Sequence, residues 1–126
     1  MTNPDEVLSA LVDAYAARDA SAMLAALAED ARAWITNAEG GVDPVDGRDG
    51  YVEALLSLEA PVFTINVTQL LRVSDELAMA MVEIRAERKG RSLHNFASFL
   101  VRVEDGEIAE LWMVEALPAY SEEFWS

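Results

Sequence analysis

The chain has 126 residues, 52% of them apolar, with 23 Asp and Glu against 9 Lys and Arg for a net charge of −14, and it carries no cysteine and one histidine. That length suits one domain with a single core, and the cysteine and histidine counts exclude disulfides, thiolate zinc sites, thiol nucleophiles and multi-histidine metal centres. The acidity disfavours nucleic acid and anionic lipid as partners, and no apolar run reaches membrane-spanning length, so a soluble, cytoplasmic and metal-free protein is expected.

Asn3 is placed to cap a helix that opens on Pro4 with Asp5 and Glu6 in its first turn. Val7, Leu8, Leu11, Val12 and Tyr15 then recur at helical spacing over residues 4 to 17. Asp19 is placed to cap a second helix over 20 to 28, with Met23, Leu24 and Leu27 as its apolar stripe. "ARAWIT" (31–36) reads as a first strand, and "NAEGGVDPVDG" (37–47), rich in Gly, Asn, Asp and Pro, as an irregular loop. Asp49 is expected to cap a third helix that buries Val52, Leu55 and Leu56 and ends before Pro61.

From Pro61 onward the apolar period changes from about 3.6 to 2. "VFTINVTQLLRV" puts Phe63, Ile65, Val67, Leu71 and Val73 on one face and Thr64, Asn66 and Thr68 on the other. Three more strands are predicted at 77–88, 91–103 and 107–116, separated by Ser74 to Glu76, Lys89-Gly90 and Glu104-Asp105-Gly106, which is turn chemistry. The expected fold is α+β: a strongly curved antiparallel sheet, shaped as a cone and wrapped around three N-terminal helices, with a pocket at its wide end. No linker or internal repeat divides residues 1–126.

Three phrases, "AYAARDASAMLAALAEDARAWI" (14–35), "GRDGYVEAL" (47–55) and "FLVRVEDGEIAELWMVE" (99–115), resemble the nuclear transport factor 2-like superfamily and, within it, the SnoaL-like polyketide cyclases and ketosteroid isomerases. The resemblance implies the cone fold, a frequent homodimer through the sheet and no cofactor. Ketosteroid isomerases use a tyrosine and two acids at positions that align with Leu11, Ile35 and Phe99; all three are apolar here, so that constellation is excluded. SnoaL-like cyclases place an acid on the last strand facing the pocket, which corresponds to Glu115. Limonene epoxide hydrolases pair two carboxylates through an arginine, and Glu83, Arg85 and Glu115 resemble such a trio, with Asn37 or Asn95 as the amide, although both acids are Glu and the order of carboxylate and arginine is reversed.

Glu115 shares a face with Leu111 and Met113. Burial in an apolar pocket would raise its pKa toward neutrality, where it could act as acid or base; at the rim it would be an ordinary solvated carboxylate. Glu83 and Arg85 face the same way as each other, either into the pocket or out as a solvated ion pair. The same alignment puts Asn95 inside, as an amide donor or a satisfied core amide, and His94 outside. Trp34, Phe63, Met79, Met81, Phe99, Leu111 and Met113 are candidates to hold a small apolar ligand. Phe124 and Trp125 in "PAYSEEFWS" are expected to dock on the pocket mouth or a partner subunit. Three functions compete on these residues: a cyclase- or isomerase-type enzyme, an apolar-ligand binding module, and a dimerisation domain with a filled core.

Overall fold

A computed structural model describes residues 2–126. The helices Pro4–Ala16 (α1) and Ala20–Ala26 (α2) come first, then the strands Leu27–Thr36 (β1) and Val42–Asp46 (β2) and the helix Arg48–Leu56 (α3). The strands Val62–Arg72 (β3), Leu77–Arg88 (β4), Arg91–Glu104 (β5) and Glu107–Glu115 (β6) follow, and the helix Pro118–Trp125 (α4) comes last. One six-stranded sheet has the order β2-β1-β6-β5-β4-β3. The meander from β3 to β6 is as expected, and β1 joins it parallel to β6, with Trp34 beside Trp112 and Ile35 beside Met113. No helix among the described residues is long and apolar enough to cross a membrane.

Alternation decides what each strand offers the core. Ala78, Ala80, Val82, Ile84 and Ala86 of β4 and Leu93, Asn95, Ala97, Phe99, Val101 and Val103 of β5 are buried on the inner face. The helix α1 lies across β3, β4 and β5 on that face, and the small alanines leave it room. Its buried residues include Val7, Leu8, Leu11, Val12 and Tyr15, the stripe that the spacing predicts.

Four local expectations are corrected. Asp19 does cap α2, accepting from the Ala22 N–H at 3.1 Å, but the helix ends at Ala26, because Leu27 is already extended and buried beside Ile108. Residues 42–46 form β2 rather than loop, since Asn37 closes the turn. Its Oδ1 accepts from the N–H of Glu39 (3.1 Å) and of Gly41 (2.9 Å), and its Nδ2 donates to Asp43 at 3.0 Å. Pro44 is tolerated there because β2 is an edge strand.

Gly47, at φ 88°, takes the N-cap of α3 instead of Asp49; Tyr51 joins Val52 and Leu55 in the buried face, and Leu56 is half-buried. In β3 a bulge between Val67 and Gln69 shifts the register, so Leu70 pairs with Ala80 and Leu71 with Met79. One inserted residue thus sends Leu71 to the face of Thr64 and Asn66, and Val73 lies beyond the strand, 55% exposed.

The final segment folds as α4 and covers the wide end of the cone, where Phe124 is 2% exposed. Tyr120 Oη donates to Ser92 O at 2.7 Å and accepts from the His94 N–H at 3.2 Å. Arg91 donates to Glu123 O at 2.9 Å and Arg88 to Phe124 O at 3.3 Å, so two cations satisfy carbonyls at the negative end of the helix. Phe124 is the main apolar anchor of this helix. Phe124→Ala should cost about 3 kcal/mol in urea unfolding and speed hydrogen exchange of the α4 amides while those of β4 and β5 keep their relative protection; uniform acceleration would show instead that α4 is no separable unit.

Candidate active site

At the wide end, β5 and β6 bring one amide and one carboxylate together. Asn95 is 1% exposed, and its Nδ2 donates to Glu115 Oε2 at 3.1 Å and to Leu117 O at 3.3 Å. Its Oδ1 accepts from the N–H of Phe96 at 2.9 Å and of Leu117 at 3.2 Å. Every polar atom of this side chain is engaged, so Asn95 fixes Glu115 and the turn into α4 and has no donor left for a developing oxyanion. The Glu115 backbone N–H donates to Thr36 Oγ1 at 3.0 Å, which ties the same residue to β1.

Glu115 is half-buried, and burial pushes its carboxyl above the usual carboxylate range, opposed by a hydrogen bond with Ser121. It borders two spaces. Inside lies a cavity of about 30 Å3 walled by Tyr15, Phe63, Ile84, Met113 and Trp125, room for a water or two. Outside lies a cleft of about 370 Å3 bordered by Thr36, Asn37, Leu58, Pro118, Ser121 and Trp125. Glu115 is thus reachable from solvent through the cleft and shielded from it on the cavity side. Burial pushes the Tyr15 phenol up to about 12, with Arg18 opposing and Glu115 adding to the rise, so Tyr15 stays an un-ionised O–H.

The other candidates divide between the two faces of the sheet. Phe63 and Met113 wall the cavity. Phe99 and Leu111 face inward too, but each is 1% exposed in the core. Glu83 and Arg85 do not join Glu115: they alternate with the buried Val82, Ile84 and Ala86 and stand on the outer face. There Glu83 Oε2 takes hydrogen bonds from His94 Nε2 at 2.7 Å and Arg85 Nη2 at 3.4 Å. The His94 hydrogen bond holds the Glu83 carboxyl below its ordinary range. The epoxide-hydrolase-like trio is therefore not assembled. Trp34, Met79 and Met81 are also on the outer face, where Trp34 stacks on Trp112 with centroids 5.1 Å apart, and none of the three lines the cone. Asn37 reaches the cleft, but its amide is spent on the β1–β2 turn.

Thr36, Leu58 and Ser121 belong to the site and carried no signal in the sequence. Tyr15 was visible as part of a helical apolar stripe, a pattern shared by any core residue. Trp125 was visible as a costly aromatic in a polar segment.

The sequence profile of the SnoaL-like domain family matches residues 8–111. No curated protein matches the sequence. Among solved structures, the chain is similar to a protein of unknown function with a cystatin-like fold from Xanthomonas campestris, with 18% identity, TM-score 0.82 and 99% of each chain covered. It is also similar to an LEH-like epoxide hydrolase of M. tuberculosis, with 13% identity, TM-score 0.73, and 94% of this chain and 86% of that one covered. A third is an NTF2-like protein of unknown function from Cytophaga hutchinsonii, with 16% identity, TM-score 0.68, and 91% and 92% covered. At these identities the likeness is one of fold.

The raised Glu115 pKa has a consequence for stability. A folded state that binds the proton more tightly than the unfolded chain is favoured below the ordinary Glu value of about 4.3 and loses that advantage as pH rises through the raised value. Glu115→Gln, permanently neutral, should therefore have a higher Tm than the native chain at pH 7, with the gap closing toward pH 3.5; a pH-independent gap would contradict the desolvation described here.

Proposed function

We propose that this chain, which belongs to the SnoaL-like domain family, is a cofactor-independent acid/base enzyme of the cyclase, isomerase or dehydratase type. Its substrate is a small apolar molecule bearing a carbonyl or hydroxyl, and Glu115 is the group that moves the proton. The observation that carries this reading is a half-buried carboxylate at the floor of a cleft, with its pKa raised by burial and its position fixed by a fully engaged amide. A carboxyl shifted toward neutrality gives and takes a proton with comparable ease, which suits proton abstraction beside a carbonyl followed by return to a neighbouring atom.

The remaining site residues supply placement. Asn95 and Thr36 hold Glu115, and Tyr15 offers an O–H that does not ionise near neutral pH. The inner cavity is far smaller than a ring, so a substrate occupies the cleft, or displaces α4 and enters the cone. Water addition by Glu83, Arg85 and Glu115 is not supported, because the sheet lies between them. In a product screen over carbonyl and hydroxyl compounds by mass spectrometry, Glu115→Gln should lower turnover at least about 100-fold while leaving substrate affinity within a few-fold. Undiminished turnover would remove Glu115 from the chemistry, and binding without product from any compound would favour a carrier.

A second reading concerns assembly and is favoured by the outer sheet face. Trp34, Trp112, Leu100 and Met79 form an apolar row across it, with Val114 51%, Met81 44% and Phe96 44% exposed beside them. Most of its charges are paired, Arg32 with Asp46, Arg102 with Glu104 and Glu110, and Glu83 with Arg85 and His94. On a chain of charge −14 this is the face where a second copy meets little repulsion, and we infer a homodimer across it. Light scattering should give twice the chain mass for the native protein and a monomer for Met81→Glu; a native monomer at high micromolar concentration would end this reading.

A further inference from the structure

Cations without an acid partner gather at one place. Among the described residues, Arg18, Arg48, Arg88, Lys89 and Arg91 have no carboxylate within ion-pair distance, in a chain with 23 Asp and Glu. Three of them, Arg18, Arg88 and Lys89, border a groove of about 570 Å3 together with Glu59, Ala60 and Pro61. Three cations to one acid is the reverse of the chain's overall balance.

Arg18 is held as a fixed group. It follows α1 in the left-handed region at φ 57°, and its Nη2 donates to the carbonyls of Leu56 at 3.0 Å and Leu58 at 2.7 Å. The guanidinium carbon lies 5.8 Å from the Tyr15 ring centroid and 5.6 Å from that of Phe63. Its Nη1 is enclosed and has no hydrogen-bond partner. An enclosed cationic N–H without an acceptor is a standing cost to the fold, and an anionic oxygen is the group that best relieves it.

The groove and the Glu115 cavity share a wall. Tyr15, Leu58 and Phe63, which surround Arg18, also wall the cavity, as does Trp125. Phe63 lies 6.5 Å from Trp125, and Arg88 stacks over Trp125 at 5.7 Å, so Arg18 and Arg88 flank one aromatic row.

We propose that this groove receives the anionic group of an amphipathic ligand, a carboxylate, sulfonate or phosphate, whose apolar body lies over Phe63 and Trp125 toward Glu115. The inference rests on reading the Glu115 region as the ligand site, but anion selectivity is a binding property and does not require proton transfer. Arg88 holds α4 through long bonds, 3.3 Å to Phe124 O and 3.5 Å to Ser126 O, which an anion would replace with shorter, charge-assisted ones. Arrival of the anion therefore loosens the helix that fills the mouth.

The test uses two fluorescent dyes that share their rings: anilinonaphthalene sulfonate, an anion, and phenylnaphthylamine, which lacks the sulfonate. The general field of a −14 chain works against the anion, so a preference for it reports a local site. The native protein should bind the sulfonate at least about tenfold more tightly than the neutral dye. Arg18→Gln should abolish that preference, and the double variant Arg88→Gln, Lys89→Gln should reduce it, each with neutral-dye affinity unchanged; the distant Arg72→Gln should change nothing. If Arg18→Gln proves unfolded by circular dichroism, the surface double variant decides. Equal affinities in the native protein, or a preference that survives both sets of substitutions, would overturn the proposal. Glu115→Gln should keep the preference while losing turnover, which separates this site from the proton-transfer reading.

Discussion

One buried amide organises the working end of this molecule. Asn95 contacts the carboxylate of Glu115, both polar backbone groups of Leu117 and the backbone of Phe96, so the end of β6, the start of α4 and the centre of β5 are joined through a single side chain. The energetics of such a group are asymmetric. Completed hydrogen bonds add modest net stability, whereas a buried amide deprived of partners costs its full desolvation, so the turn into α4 and the position of Glu115 are specified together. The carboxylate is consequently held in a partly apolar place that it would leave if its tether allowed.

The curved sheet then divides the chemistry by parity. On β4 and β5 every second residue goes inward, where alanines and branched apolar residues meet α1, and the residues between them go outward. Glu83 and Arg85 are separated from Glu115 by this rule alone, however close a list of polar residues makes them look. The outward set forms a surface of different character, aromatic and thioether groups framed by charges that neutralise one another locally. The molecule thus presents a pocketed face, a largely neutral apolar face and an acidic remainder.

How much of this was legible in the sequence varied with the range of the interaction. The α1 stripe, the Asp19 cap, the β3–β6 meander and the inward direction of Asn95 follow from spacing, turn residues and resemblance, all local or family-level signals. Leu27 was misplaced because its extended conformation is imposed by pairing with Ile108, 81 positions away. The strand β2 was missed because Gly and Pro read as loop, while the Asn37 turn and an edge position make them compatible with pairing. Leu71 was assigned to the wrong face because a bulge changes parity without leaving a residue signature. Around Glu115, the neighbours Asn95, Phe63 and Met113 were candidates in the sequence, whereas Thr36, Leu58 and Ser121 are ordinary residues brought there by tertiary placement.

The aromatic end of α4 closes the wide end of the cone. Trp125 walls the inner cavity and Phe124 is buried edge-on against it, and the space left holds only a water or two. Beside the Phe124 anchor, the last turn of the helix is fastened by arginine contacts to backbone carbonyls. Packing these aromatics against the sheet keeps the wide end filled and the inner side of Glu115 shielded while its outer side meets the cleft, and that one-sided burial is what raises the carboxyl's pKa.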